Sequence, residues 1–232
     1  MSQRIYLDHQ ATTPVDPRVV EAMAPWWTEA CGNASSDHAH GWEAREAVER
    51  AAEQVAALVD CRPREVVFTS GATESNNLAL QGAWRRYGGP GSGLVTSAIE
   101  HPSVRDVARH LAAEGAVLRE VGVDAGGVLE PAAVASAVDE DTVLCSVQWA
   151  NNEIGTIQPI EEIGALCRER GVLFHSDAVQ AVGKVPVSAG SCDLLSLSAH
   201  KFHGPKGIGA LVVRRRSPRV RLEPLLRGGG QQ

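Results

Sequence analysis

Lysines and long apolar runs are scarce in this sequence. Lysine and arginine together number 22 among 232 residues, yet the only lysines are Lys184, Lys201 and Lys206. Any chemistry that requires a lysine amine therefore has three candidates. No apolar run approaches the roughly 20 residues of a membrane-spanning helix, and the first residues lack the apolar segment of a secretory signal.

The five cysteines form no recognisable framework. They are odd in number, scattered and never spaced C-x-x-C: Cys31, Cys61, Cys145, Cys167 and Cys192. This pattern favours reduced thiols in a cytoplasmic protein over a disulfide scaffold or a zinc site. The pairs His38/His40 and His200/His203 have no third ligand at a suitable spacing, so we expect no metal.

The charge balance also excludes classes of partner. The formal net charge is −6, which argues against a nucleic-acid-binding protein, because such a protein needs a basic surface. We therefore expect neither nucleic acid nor a membrane among the partners. The length fits one large domain or two small ones and is sufficient for a substantial core.

Strand-like and helix-like segments alternate along most of the chain. Strands are predicted over 65–69, 94–97, 116–121, 142–148, 172–176, 194–198 and 208–213. Helices are predicted over 16–30, 38–59, 73–86, 130–138 and 159–170, with another that begins at 101. This alternation predicts an α/β fold of three layers, with helices on both faces of a mostly parallel sheet.

Active sites in such sheets lie at the carboxyl ends of the strands. The stretch 70–76 follows the first strand, where Gly71 precedes a helix N-terminus that offers free backbone N–H groups to an anion. The hydroxyls of Ser70 and Thr73 could add to this site. The same residues are also typical of an ordinary helix cap.

Polar side chains follow three further strands. His101 could stack on a ligand ring or move a proton, or it could simply begin a helix. Asn151 and Asn152 could bind a ligand or form a turn. Asp177 needs a positive partner, because an unpaired buried carboxylate is costly. A protonated heterocycle nitrogen or an arginine would serve.

The segment after the strand at 194–198 is the most informative. Lys201 stands where this apolar strand ends, and a lysine there can reach into a crevice and form a Schiff base. Lys184 is predicted on a solvated connection, and Lys206 is predicted to be exposed or to face a phosphate. A phosphate, a ring, a ring nitrogen and an aldehyde belong together in one ligand, pyridoxal 5'-phosphate (PLP).

Several segments closely resemble the cysteine desulfurases of the NifS/IscS type, which are class V aminotransferase-like, fold-type-I PLP enzymes. They are residues 6–14 (YLDHQATTP), 32–36 (GNASS), 68–76 (FTSGATESN), 100–101 (EH), 151–155 (NNEIG), 175–180 (HSDAVQ), 198–201 (SAHK) and 204–209 (GPKGIG). Smaller departures from the family pattern are His9, Gln10 and Ala34.

The resemblance implies a role for each matched position. Lys201 is the Schiff-base lysine and proton carrier, His101 stacks on the ring and assists acid–base steps, and Asp177 pairs with the ring nitrogen. Gln180 and Asn152 contact the ring hydroxyl and the substrate side. The phosphate is assigned to four residues: Ala72, Thr73, Ser198 and His200.

The resemblance also implies parts that residues 1–232 do not contain. Family members continue into a connecting helix and a smaller C-terminal domain, which carries the nucleophilic cysteine and an arginine for the substrate carboxylate. None of the five cysteines matches that nucleophile. We therefore expect residues 1–232 to be the PLP-binding large domain with the C-terminal domain absent. Residues 1–15 would pack near the place of the small domain.

By resemblance, the activity is that of a PLP-dependent cysteine desulfurase. It converts L-cysteine to L-alanine and passes persulfide sulfur to an acceptor protein for iron–sulfur cluster assembly or for thiolation of cofactors or tRNA. Family members are homodimers. By the same resemblance, we expect residues 1–232 alone to transfer sulfur poorly unless a second polypeptide supplies the thiolate. The alternatives are another class V PLP lyase, such as a selenocysteine lyase or an epimerase-like protein, and a non-catalytic remnant that binds partners.

Overall fold

A seven-stranded sheet forms the centre of the computed structural model, which describes residues 4–215 and 219–228. Its strands are β1 (Val66–Thr69), β2 (Gly93–Ser97), β3 (Val117–Val121), β4 (Thr142–Ser146), β5 (Leu173–Asp177), β6 (Leu194–Ser198) and β7 (Gly209–Val213). They lie in the order β1-β7-β6-β5-β4-β2-β3. Only β7 is antiparallel to its neighbours. The other six strands therefore end at the same edge of the sheet.

Seven α-helices surround the sheet. They are α1 (Pro17–Met23), α2 (Pro25–Thr28), α3 (Ala39–Leu58), α4 (Ala72–Tyr87), α5 (Pro102–Ala113), α6 (Pro131–Ala137) and α7 (Ile160–Glu169). Short 3₁₀ turns cover Pro63–Glu65, Ala189–Ser191 and Ala199–Lys201. Four α-helices begin at a proline, whose missing N–H is not needed in the first turn. Among the described residues, no helix is both long and apolar enough to cross a membrane.

Both faces of the sheet are buried, because neighbouring residues of each strand point to opposite sides. One side chain of each pair packs with α4 and α5, for example Leu94, Leu144, Leu194 and Leu211. Its neighbour packs with α6 and α7, for example Val95, Cys145, Leu195 and Val212. The prediction of a mostly parallel sheet between two helical layers is confirmed.

Two predictions about local structure need correction. The helix predicted over 16–30 is broken after Ala24, because Pro25 has no N–H to donate and starts the separate helix α2. The strand predicted over 142–148 ends at Ser146, and the N–H of Gln148 donates instead to Oε1 of Glu100 (2.9 Å). Trp26 and Trp27 are 38% and 69% exposed and lie outside the core.

Candidate active site

A cleft of about 610 Å³ lies at the carboxyl ends of the parallel strands, and its size is in the range of sites for small molecules. All nine residues that sequence reasoning assigned to a cofactor line it: Ala72, Thr73, His101, Asn152, Asp177, Gln180, Ser198, His200 and Lys201. These residues follow β1, β2, β4, β5 and β6. The sheet thus brings together side chains that are up to 129 positions apart in the sequence.

One end of the cleft is the N-terminus of α4. The first backbone bond of this helix runs from the N–H of Ser75 to the carbonyl of Gly71 (3.1 Å), so the N–H groups of Ala72 and Thr73 have no partner within the helix. Gly209 packs closely against this turn, since a Cβ added there would lie 2.7 Å from the Cα of Gly71. This contact holds the anion-binding end of α4 against the start of β7.

Ser70 is not free to bind an anion with its hydroxyl. Its Oγ and its backbone N–H both donate to Oε2 of Glu74, at 2.6 and 2.7 Å. Glu74 thus reaches back over the helix start as it would in a capping interaction. The backbone amides of Ala72 and Thr73, rather than the hydroxyl of Ser70, are therefore available for an anion at this end of the cleft.

His200 and Lys206 also border this end. Burial and the positive charges of Lys201 and Lys206 lower the pKa of His200, so its imidazole is neutral near pH 7. Its Nδ1 pairs with Oγ1 of Thr12 (3.1 Å). The Nε2 of His200 is then the ring nitrogen left to contact a ligand.

Asp177 is the buried acid of the cleft, with 6% of its surface exposed. It accepts hydrogen bonds from Nδ2 of Asn76 (2.8 Å) and from the N–H of Val179 (3.0 Å). Burial raises its pKa, and these bonds and the charges of His101 and Lys201 oppose that rise. Among the groups that shift the pKa of Asp177 in the described part of the chain, none is an arginine, so the arginine partner considered from sequence is not found there.

His101 both caps α5 and lines the cleft, so the two interpretations of this residue are compatible. Its Nδ1 accepts from the N–H of Ser103 (3.1 Å) and pairs with the Ser103 hydroxyl (2.7 Å). The same hydroxyl accepts from Nδ2 of Asn76 (2.8 Å), which also donates to Asp177. Asn76 therefore connects the histidine and the aspartate of the cleft.

Lys201 ends the 3₁₀ turn that follows β6, and its amine lies against the N-terminal segment. Its Nζ donates to the carbonyl oxygen of Gln10 (2.5 Å). Burial and then the charge of Lys184 lower the pKa of Lys201, whereas Asp177 and Asp8 raise it. A lowered pKa increases the neutral fraction of the amine, which is the form that attacks a carbonyl carbon.

The two asparagines after β4 behave differently. Oδ1 of Asn151 accepts from the N–H groups of Glu153 and Ile154, at 2.8 and 3.0 Å. It therefore forms the turn that was one of the two sequence interpretations, while Asn152 lines the cleft. Below them, the carboxyl group of Glu100 is fully buried, and burial raises its pKa to about 8.

Sequence reasoning missed the residues that support the cleft. Asn76 was part of a recognised motif but received no role; its place one helical turn after Ala72 could have indicated that it points inward. Ser103 and Glu100 flank His101 and gave a similar local signal. The contact between Lys201 and Gln10 joins residues 191 positions apart, and no spacing rule predicts it.

Comparison with known proteins identifies the family to which the chain belongs. The model of the family "Aminotransferase class-V" matches residues 5–232. The chain belongs to the aminotransferase class-V family. Its fold and its cleft are therefore those of a family member, and the similarity extends over nearly the whole of the described chain.

The curated relatives of this class-V chain include cysteine desulfurases. "Cysteine desulfurase IscS" of Neisseria meningitidis serogroup C is 54% identical over 231 residues, which are 98% of this chain and 57% of the relative. "Cysteine desulfurase, mitosomal" of Encephalitozoon cuniculi is 51% identical, over 99% of this chain and 54% of the relative. The resemblance inferred from the motifs is confirmed. The chain spans little more than half the length of these curated relatives.

Solved structures agree with the fold. A "NIFS-LIKE PROTEIN" superposes with a TM-score of 0.94 and 41% identity, over 99% of this chain and 63% of that protein. A structure named "SspA in complex with cysteine" superposes with a TM-score of 0.92 and 40% identity, over 97% of this chain and 65% of the other.

Proposed function

We propose that residues 1–232 form the PLP-binding large domain of a cysteine desulfurase that removes sulfur from L-cysteine and leaves L-alanine. One observation carries the proposal. A single cleft contains a lysine of lowered pKa, a buried aspartate and a helix N-terminus whose first amides have no partner within the helix. The named relatives support cysteine as the substrate.

The chemistry of the side chains in the cleft fits PLP. The amides of Ala72 and Thr73, with Ser198 and His200, would hold the phosphate, since an anion is stabilised at a helix N-terminus. Asp177 would face the ring nitrogen. A buried carboxylate held by an asparagine amide and a backbone N–H needs such a positive partner. When bound, PLP supplies an aldehyde that lysine can attack and a ring that accepts electrons.

Each residue of the cleft would have its own role in the reaction. Lys201, with its lowered pKa, is the amine that attaches to the aldehyde and exchanges protons at the substrate. His101 is fixed by Ser103 and would cover the ring. The bond from Asn76 favours the charged form of Asp177 against the effect of burial, and a charged Asp177 would keep the ring nitrogen protonated. Gln180 and Asn152 would contact the ring hydroxyl and the substrate.

The later steps need more than this chain. We propose that a thiolate from the part of the relatives that the chain does not cover takes the sulfur as a persulfide. An acceptor protein then receives it for iron–sulfur assembly or thiolation. We also propose a homodimer, supported by exposed apolar side chains such as Trp27 (69%) and Trp42 (55%). The cytoplasmic location stays a prediction from the sequence.

The test is to titrate the purified chain with PLP, reduce the mixture with borohydride and map the modified peptides. The proposal expects a visible absorbance band and a reduced adduct on Lys201. Lys201→Ala is the control and should lose both. An adduct spread equally over Lys184 and Lys206, or no band, would contradict the proposal and favour a non-catalytic remnant.

A second assay addresses the substrate. The loaded chain is mixed with L-cysteine and dithiothreitol, which replaces the missing thiolate, and L-alanine is measured. L-selenocysteine is the comparison, because a selenocysteine lyase would release selenium from it and leave L-cysteine untouched. Alanine formed from both substrates supports the desulfurase, since the C–Se bond is the weaker of the two.

A further inference from the structure

We propose that Lys184 is a positioning residue: it holds the side-chain amide of Gln180 so that the amide nitrogen, and not the oxygen, faces the cleft. This inference rests on the proposed function. It names a residue outside the set that lines the cleft, and it assigns a purpose to a lysine that sequence analysis placed on a solvated connection.

The hydrogen bonds around Gln180 allow one amide orientation only. Nζ of Lys184 donates to Oε1 of Gln180 (2.5 Å), and an ammonium group has donors but no acceptor. Nε2 of Gln180 donates to the carbonyl oxygen of Gln10 (2.9 Å), which can only accept. Turning the amide over would place donor against donor and acceptor against acceptor. Lys184 therefore sets the orientation from one side and Gln10 from the other.

The same carbonyl oxygen of Gln10 also accepts from Nζ of Lys201 (2.5 Å). Lys184, Gln180, Gln10 and Lys201 thus form one continuous chain of hydrogen bonds that ends at the reactive amine. When a ligand draws Lys201 and Gln180 away from Gln10, the contact with the carbonyl oxygen is lost. The bond from Lys184 is then the remaining contact in this chain that orients the amide.

Orientation matters because the ring hydroxyl of PLP loses its proton readily and then only accepts hydrogen bonds. An amide nitrogen facing that oxygen stabilises it, whereas an amide oxygen would repel it. Lys184 lies four residues after Gln180 in the turn that follows β5, and it is exposed. Its replacement removes the hydrogen bond without disturbing the core.

The charge of Lys184 also acts on the reactive amine of Lys201. It is the second cause, after burial, of the lowered pKa of Lys201. The titratable groups that face the Lys201 amine or line the cleft beside it are Lys184, Asp177, Asp8, Glu74, His101, His200 and Lys206. Of these, Lys184 is the one whose removal would both free the amide of Gln180 and raise the pKa of Lys201.

The experiment compares Lys184→Met and Lys184→Arg with the unmodified chain, using PLP and 3-deoxypyridoxal phosphate, the analogue that lacks the ring hydroxyl. Relative to the analogue, Lys184→Met should bind PLP about fivefold more weakly than the unmodified chain does, the effect of one misplaced hydrogen bond, because a raised pKa of Lys201 affects both ligands alike. Lys184→Arg should restore most of the PLP affinity. Lys206→Met, another exposed lysine of the cleft, should weaken both ligands equally.

A second readout needs no ligand. The chain is acetylated briefly at a series of pH values, and mass spectrometry follows each of its three lysines. The midpoint for Lys201 should shift upward in Lys184→Met and return in Lys184→Arg. If all the variants are folded and bind PLP and the analogue in an unchanged ratio, the inference is overturned. If the unmodified chain forms no adduct on Lys201, the proposed function itself fails.

Discussion

Replacing Asn76 by leucine should separate the stability of the fold from the affinity of the cleft. Nδ2 of Asn76 donates to Asp177 and to Ser103, while its Oδ1 is buried with no hydrogen-bond partner among the described residues. A buried oxygen without a partner destabilises the fold. The cleft therefore retains a group whose oxygen is unfavourable for stability but whose amide nitrogen favours the charged form of Asp177.

The magnitude follows from the bond that is lost. Hydrogen bonds to charged groups contribute about 1.5–3 kcal/mol, so Asn76→Leu should weaken PLP binding by roughly 10- to 100-fold. The free energy of unfolding without ligand should change far less, because the leucine also removes the unpaired oxygen. Absorbance titration measures the first quantity, and urea denaturation measures the second.

The pH dependence has a defined sign. The bond from Asn76 opposes the rise that burial causes in the pKa of Asp177. Without the bond this pKa rises further, so less carboxylate is present near neutral pH. The affinity deficit of Asn76→Leu should therefore be larger at pH 6.5 than at pH 8.5. Asn77→Leu is the matched control, since Asn77 donates to the carbonyl of Thr73 (2.8 Å) on the same helix. Equal affinity in both variants would refute the reasoning.

Three further predictions concern stability, and urea denaturation checks each. Burial raises the pKa of Glu100 from 4.5 to about 8, so the contribution of this carboxyl group to the free energy of unfolding is complete below pH 4.5 and is lost as the pH rises through 8. Glu100→Gln should flatten that decline in stability, and an unchanged pH profile would contradict the prediction. Gly209→Ala would place a Cβ 2.7 Å from the backbone of Gly71 and Leu197. It should destabilise the fold by about 1–3 kcal/mol and weaken phosphate binding. Wild-type stability of this variant would contradict the prediction and show that the turn can move to make room for the Cβ. Thr13→Val removes the acceptor of the His203 N–H (2.7 Å) and should cost about 1–3 kcal/mol, whereas Thr12→Val, the control, should cost less.

Sequence reasoning predicted all seven strands because each is a short apolar run between turn residues, and in a parallel sheet both faces are buried. The nine cofactor-binding residues were predicted from the resemblance to the cysteine desulfurases, and the fold brings them together because the ends of parallel strands meet at one edge of the sheet. Sequence reasoning missed the break before Pro25, where the amphipathic pattern continues on both sides. It also missed Asn76 and Lys184 as supports, because an interaction between two polar side chains leaves no periodic signal.

The N-terminal segment supports the turn that carries Lys201 through hydrogen bonds between residues far apart in the sequence. Thr13 donates its N–H and its hydroxyl to the carbonyl of His200, at 2.8 and 3.0 Å, and the same hydroxyl accepts from the N–H of His203. His203 has a φ of 66°, a conformation that costs a non-glycine residue about 1–2 kcal/mol. The turn that presents Lys201 is therefore strained, and hydrogen bonds from the start of the chain stabilise it. Gln10 also accepts a hydrogen bond from the Lys201 amine. The segment 10–13 therefore belongs to the site as much as the lysine does.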